Sequence, residues 1–149
     1  MIAITGLGPR TGTSFLMRQC MLAGLPVHFD PTLEAMLPAE GNPTGYWEIN
    51  PVDLPQATGI AKVWPVYLPL ASIDKMVVLR RGLTSQLASI RQQAYREAHL
   101  VDEVPAQCYI EAAYSSFLEW LPSSEAEIRI YDTETLSSNL NEILSFLGD

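Results

Sequence analysis

Positive charge is scarce in this chain. Lys and Arg number 9 against 17 Asp and Glu in 149 residues, a formal net charge of −8 with a pI near 4.6. A surface of that sign lacks the basic footprint that nonspecific nucleic-acid or anionic-membrane binding needs. No nucleic-acid and no membrane partner is therefore expected, and any anion site has to be built locally. Cysteine is scarce as well: Cys20 and Cys108 stand far apart in apolar surroundings, which argues against a disulfide framework and for buried, reduced thiols in a cytoplasmic protein. Two histidines added to two scattered cysteines give no zinc-ligand spacing, so no metal is expected. Long apolar runs are missing too. The longest, Val63 to Ile73, is broken by Pro65 and Pro69 and falls well short of the roughly 20 residues that span a bilayer. The N-terminus has no basic leader and runs at once into an apolar segment and a glycine turn, unlike a signal peptide.

What is present is enough for a core. With 48% hydrophobic and 17% charged residues and no low-complexity tract, residues 1–149 read as one domain. A chain of this size buries on the order of 70% of its unfolded surface. Met1 to Thr5 is a β-prone run ending at Gly6, and Thr13 to Ala23 follows with a helical pattern closed by Gly24. Val27 to Phe29 reads as a second strand, and Pro31 to Asn50 as a region of Pro and Gly punctuation. Asn50 and Pro51 cap and begin a helix running to about Ala57. A short strand at Ile60 to Val63 and a short helix at Val66 to Ala71 come next. Lys75 to Leu79 has the near-continuous apolar character of a strand covered on both faces. Thr84 to Leu100 reads as an amphipathic helix with Leu87, Ile90, Ala94 and Ala98 on one face. Pro105 to Leu121 is another helix, Glu127 to Tyr131 a strand, and Leu136 to Leu147 a last helix. Strands alternating with helices predict an α/β domain with a mostly parallel central sheet flanked by helices.

The segment Gly6-Leu7-Gly8-Pro9-Arg10-Thr11-Gly12-Thr13-Ser14 lies between the first strand and the first helix. Backbone N–H groups in such a turn, with the positive end of the helix dipole behind them, cradle phosphate-like oxyanions. The nucleotide-kinase pattern G-x-x-x-x-G-K-[ST] fails, because alignment on Gly12 puts Leu7 at its first glycine and Thr13 at its lysine. The dinucleotide pattern G-x-G-x-x-G fails at Thr11. A purely structural turn is the plain alternative.

The cation sits instead at Arg10, and Pro9-Arg10-Thr11-Gly12-Thr13-Ser14 resembles the 5′-phosphosulfate loop of the P-loop sulfotransferases, Pro-(Lys/Arg)-Ser-Gly-Thr-(Thr/Ser). A second signature of that family is an Arg ending a strand with a Ser eight positions later, the pair that holds the donor's 3′-phosphate. Here Arg81 follows Val77-Val78-Leu79-Arg80, and Ser89 lies eight residues beyond it, with Arg80 as the rival by one residue of register. Gly41 to Glu48 is similar to the family's Asn-Pro-Lys-Gly-(Phe/Tyr)-(Trp/Phe)-Glu segment, with Thr44 in place of the Lys. Ile60 to Pro65 falls where many members have a Lys-Asp-Pro-Arg turn, and matches it poorly. The closing strand and Phe146-Leu147-Gly148 are similar to the family's last strand and helix. Members are usually longer, and the Gly-rich segment that covers the adenine is not recognisable here.

The resemblance implies a P-loop-type three-layer fold, 3′-phosphoadenosine 5′-phosphosulfate as donor co-substrate, and sulfate transfer to a hydroxyl or amine of a small-molecule or peptide acceptor. Arg10, Thr11, Gly12, Thr13, Ser14, Arg81 and Ser89 are the implied donor-binding residues. Arg10 also stands where charge builds on the leaving oxygen, a catalytic place. The implied base that takes the acceptor's proton is Glu48, with Tyr46 and Trp47 to wall an acceptor pocket, or His28 at the end of the second predicted strand. His99 reads as solvated. A P-loop nucleotide or nucleoside kinase is the runner-up, opposed by the missing loop lysine and by Arg80-Arg81 where a magnesium-binding Asp would be expected. A noncatalytic nucleotide-binding module is the third reading.

Overall fold

The computed structural model describes residues 1–28, 48–96 and 103–149, with their side chains except at 93–96 and 103–106. Among the described residues four strands form the sheet: β1 (Ile2–Gly6), β2 (Ile60–Lys62), β3 (Lys75–Arg80) and β4 (Glu127–Asp132), in the order β2-β1-β3-β4. All the pairings are parallel. The helices are α1 (Thr13–Leu22), α2 (Leu83–Arg96), α3 (Glu103–Trp120) and α4 (Leu140–Gly148).

Side-chain alternation sorts the two faces of the sheet. Ile4, Val77, Leu79 and Tyr131 meet Leu16, Met17 and Cys20 of α1 and Ile143, Phe146 and Leu147 of α4. Ala3, Met76 and Val78 on the other face meet Phe117 and Trp120 of α3, with Leu54 and Leu68 from two 3₁₀ segments. Each such Leu, Ile or Phe contributes roughly 1.5–3 kcal/mol through burial. A smaller cluster of Leu87, Ile90, Ile110 and Tyr114 joins α2 to α3.

Register sets where function can lie. Gly6 pairs with Leu79, and Arg80 pairs with Asp132, so the C-terminal ends of β1, β3 and β4 are level. The segments that follow them, 7–12, 81–82 and 133–135, therefore leave one edge of the sheet together. In open parallel sheets this carboxyl edge is where ligands sit.

Four expectations change in detail. The last helix starts at Leu140 rather than Leu136, because Thr133–Thr135 form a 3₁₀ turn and 136–139 a further turn before it. Leu136 is buried all the same, against the glycine loop, so it satisfies the apolar pattern from outside the helix. Pro51–Gln56 and Pro65–Leu70 are 3₁₀ rather than α, each with an internal proline, Pro55 or Pro69, that lacks the N–H a longer helix needs. Asn50 caps the first as expected, its Oδ1 accepting from the Val52 N–H at 3.2 Å. Of the second predicted strand, Val27 makes one parallel bridge, to Ile60, while Phe29 lies outside the described residues. Residues 31–47, with Tyr46 and Trp47, and 97–102, with Ala98 and His99, lie outside them too.

Candidate functional site

The loop between β1 and α1 is held in a conformation few sequences allow. Gly8, Arg10 and Gly12 have φ of 99°, 64° and 90°, and Arg10 is the one non-glycine with positive φ among the described residues. Such a backbone costs an L-residue roughly 1–2 kcal/mol, so other bonds have to hold it. They do so through the carbonyls. Gln86 Nε2 donates to Leu7 O (3.2 Å) and Pro9 O (2.6 Å), and Thr11 Oγ1 to Gly8 O (3.3 Å). Arg81 Nη1 donates to Arg10 O (3.1 Å), Thr133 Oγ1 to Thr11 O (2.7 Å), and the Leu16 N–H to Gly12 O (3.0 Å). Every carbonyl from Leu7 to Gly12 is thus engaged. The N–H groups of Thr11, Gly12, Thr13 and Ser14 have no acceptor among the described residues. A loop with its carbonyls tied back and its amides unspent at a helix N-terminus can accept hydrogen-bonding oxyanion atoms at those amides.

On the β3 side, the two sequence signals converge. Arg10 Nε donates to Ser89 Oγ at 3.2 Å, across 79 residues of sequence. Arg81, which bonds the Arg10 carbonyl, has a side chain only 27% exposed, and its Nε is buried without a hydrogen bond among the described residues, 3.9 Å from Glu134 Oε1. Arg80 turns the other way. Its Nε donates to Asp132 Oδ1 at 2.6 Å, which raises the arginine's pKa and holds the Asp132 carboxyl below its ordinary range. Of the two adjacent arginines, Arg81 is the one at the loop.

On the β2 side stands a group that the sequence reading passed over. Lys62, the last residue of β2, donates to Ser14 Oγ at 3.1 Å and pairs with Glu48 Oε1 at 2.5 Å, with side chains 13% and 11% exposed. Glu48 Oε2 is buried without a hydrogen-bond partner among the described residues. Glu48 is therefore within reach of the loop through Lys62. His28 is not brought there: its N–H donates to Ile60 O, at the level of Ile2, four residues below Gly6 and so on the order of 10 Å from the loop.

Three loop contacts went unforeseen, those of Lys62, Gln86 and Thr133. Lys62 and Thr133 could have been found by asking which polar residues end parallel strands beside the glycine loop. Gln86 could have been found as a polar residue one turn before Ile90 on the apolar face of α2.

Below the loop, α2 and α3 frame a cleft of about 480 Å³ lined by Arg81, Leu83, Gln86, Ile110 and Tyr114 among others. Among the described residues no group of three His, Cys, Asp or Glu could hold a metal ion, and no helix is long and apolar enough to cross a membrane. The chain matches no protein-family model and no curated relative.

Proposed function

We propose that this chain is a P-loop sulfotransferase that binds 3′-phosphoadenosine 5′-phosphosulfate at the β1–α1 loop and transfers its sulfate to a hydroxyl or amine of a small-molecule or peptide acceptor. The observation that carries this reading is the meeting of Arg10, Arg81 and Ser89 beside the unspent amides of Thr11 to Ser14. A 5′-phosphate takes the loop amides, and a 3′-phosphate takes Arg81 and Ser89. The donor fits what surrounds it, since the buried Arg81 Nε and those amides all want anionic oxygen.

When bound, the donor supplies a sulfuryl group on a phosphate leaving group. Everything else falls to the chain. In this reading the Arg10 guanidinium, which here bonds Ser89 Oγ, neutralises charge on the leaving oxygen, with the amides preorganised by the tied carbonyls so that little reorganisation is needed as charge develops. Lys62, anchored on Ser14, sets a second cation on the opposite side of the loop. Glu48 gives one oxygen to Lys62 and keeps Oε2 for the proton of an acceptor hydroxyl.

The test is conversion of the donor to adenosine 3′,5′-bisphosphate, with small alcohols and amines as acceptors, followed by chromatography. Turnover that persists with a chelator present is the expected result. Consumption of ATP that requires magnesium would put a kinase in its place, and binding of either nucleotide without turnover a noncatalytic module.

A further inference from the structure

Gln86 is the one large polar side chain among the described residues with no solvent exposure at all. It sits at the fourth residue of α2, and its N–H holds that helix's first turn by donating to Gly82 O at 2.9 Å. The side-chain amide reaches 79 residues back to place one nitrogen between Leu7 O and Pro9 O. A buried amide is costly unless bonded, so an apolar residue here would serve the α2–α3 contact better. Its Nε2 is bonded at one spot only, where the loop reverses around Gly8, while Oε1 stays buried without a hydrogen-bond partner among the described residues. A side chain added at Gly8 would meet Gln86 Nε2 and the Ile110 side chain at 2.7 and 2.9 Å. The amide and the bare glycine therefore form one joint.

We propose that Gln86 is the positioning residue of the anion loop: it pulls the Leu7 and Pro9 carbonyls down toward α2, away from the ligand, so that the amides of Thr11 to Ser14 face outward before any ligand arrives. The inference deepens the function proposed above and rests on that reading for the identity of the ligand, though not for the bracing itself. Arg81 and Thr133 hold the next two carbonyls from the other side. Without Gln86 the Leu7 and Pro9 carbonyls lose their donor, and among the carbonyls of the first half of the loop only Gly8 O keeps one, the Thr11 hydroxyl at 3.3 Å. A binding-competent loop populated in only a fraction of molecules weakens apparent affinity by that fraction.

The experiment compares the parent with Gln86→Met, which keeps the length and removes the donor, and Gln86→Glu. Adenosine 3′,5′-bisphosphate affinity is measured by calorimetry, global stability by denaturant unfolding, and amide hydrogen exchange at Leu7 and Gly8, whose N–H groups bond Leu79 O and Gly6 O. Loss of two hydrogen bonds from the free loop predicts affinity about tenfold weaker or more in Gln86→Met, and faster exchange at Leu7 and Gly8 than the change in global stability explains. In Gln86→Glu the buried acid donates one bond while protonated and none once ionised, so its affinity relative to the parent at the same pH falls as pH rises. The other charged or titratable groups facing this position are Arg81 beside it, Glu111 and Tyr114 on α3, and Arg10 on the loop, and all four are present in the parent control. Parental affinity and parental exchange in both variants, with only global stability lowered, would overturn the proposal. If the parent itself fails to bind the nucleotide, the donor reading falls instead, and exchange at Leu7 and Gly8 still decides the bracing.

Discussion

Two adjacent arginines have opposite partners because the strand ends between them. Arg80 is the last residue of β3, level with Asp132 on β4, and pairs sideways across the sheet edge. Arg81 is past the ladder and free to turn onto the loop. Arg81→Ala should therefore weaken binding of a 3′-phosphorylated nucleotide by about 10- to 150-fold, the worth of a charge-assisted hydrogen bond, while Arg80→Ala leaves it nearly intact. Arg80→Ala should act on Asp132 instead, returning its depressed pKa toward the ordinary 3.8 in a carboxyl NMR titration. The sign follows from the depression: the pair's contribution is present above about pH 4 and fades as pH falls below it, and it is small because both side chains are about half exposed to solvent. For Glu48, Glu48→Gln should lower turnover about 100-fold or more with donor affinity nearly unchanged, as for a general base. His28→Ala should do little, and a larger loss there in a steady-state assay would move the base to His28. The spacing of eight from Arg81 to Ser89 was legible in the sequence because it lies along one strand-to-helix connection. The Lys62 to Ser14 contact, 48 residues apart, was not, since only strand order puts β2 beside β1.

At the level of elements, continuous apolar character located β3 to within a residue, since burial on both faces leaves little choice of composition. Turns were harder to read. Leu136 looked helical because it is buried at the right interval from Leu140, yet it belongs to the turn that brings the Thr133 hydroxyl to Thr11 O. Packing of α1 on the sheet makes a separate prediction. Cys20 is fully buried between β1, α1 and α4, and loss of solvation pushes its thiol up to about 12 from 9.0. A raised folded-state value means that the unfolded chain loses this proton first, so the thiol's contribution to stability holds below pH 9 and declines between 9 and 12. Unfolding free energy should fall more steeply above pH 9 in the parent than in Cys20→Ala, by up to about 1.4 kcal/mol per pH unit. Equal slopes in urea titrations from pH 8 to 10.5 would contradict that placement of Cys20. Cys108 is exposed on α3, not buried as its apolar neighbours suggested, so at pH 8 a thiol reagent should modify it promptly and Cys20 only on unfolding.

For the whole molecule, the arrangement is a negatively charged body with cations gathered at one edge of a parallel sheet. Net charge of −8 opposes an anionic ligand at long range, so affinity has to come from short contacts at Arg10, Arg81, Lys62 and the loop amides. Added salt screens the long-range repulsion as well as the attraction, and should change nucleotide affinity less than it would on a basic protein. In the proposed function this edge holds two phosphates of one nucleotide, the 5′ group at the loop and the 3′ group at Arg81 and Ser89. Competition calorimetry of the parent protein with adenosine 3′,5′-bisphosphate against AMP tests it most directly. A preference of at least about tenfold for the bisphosphate is predicted, and equal affinity for the two nucleotides would contradict it.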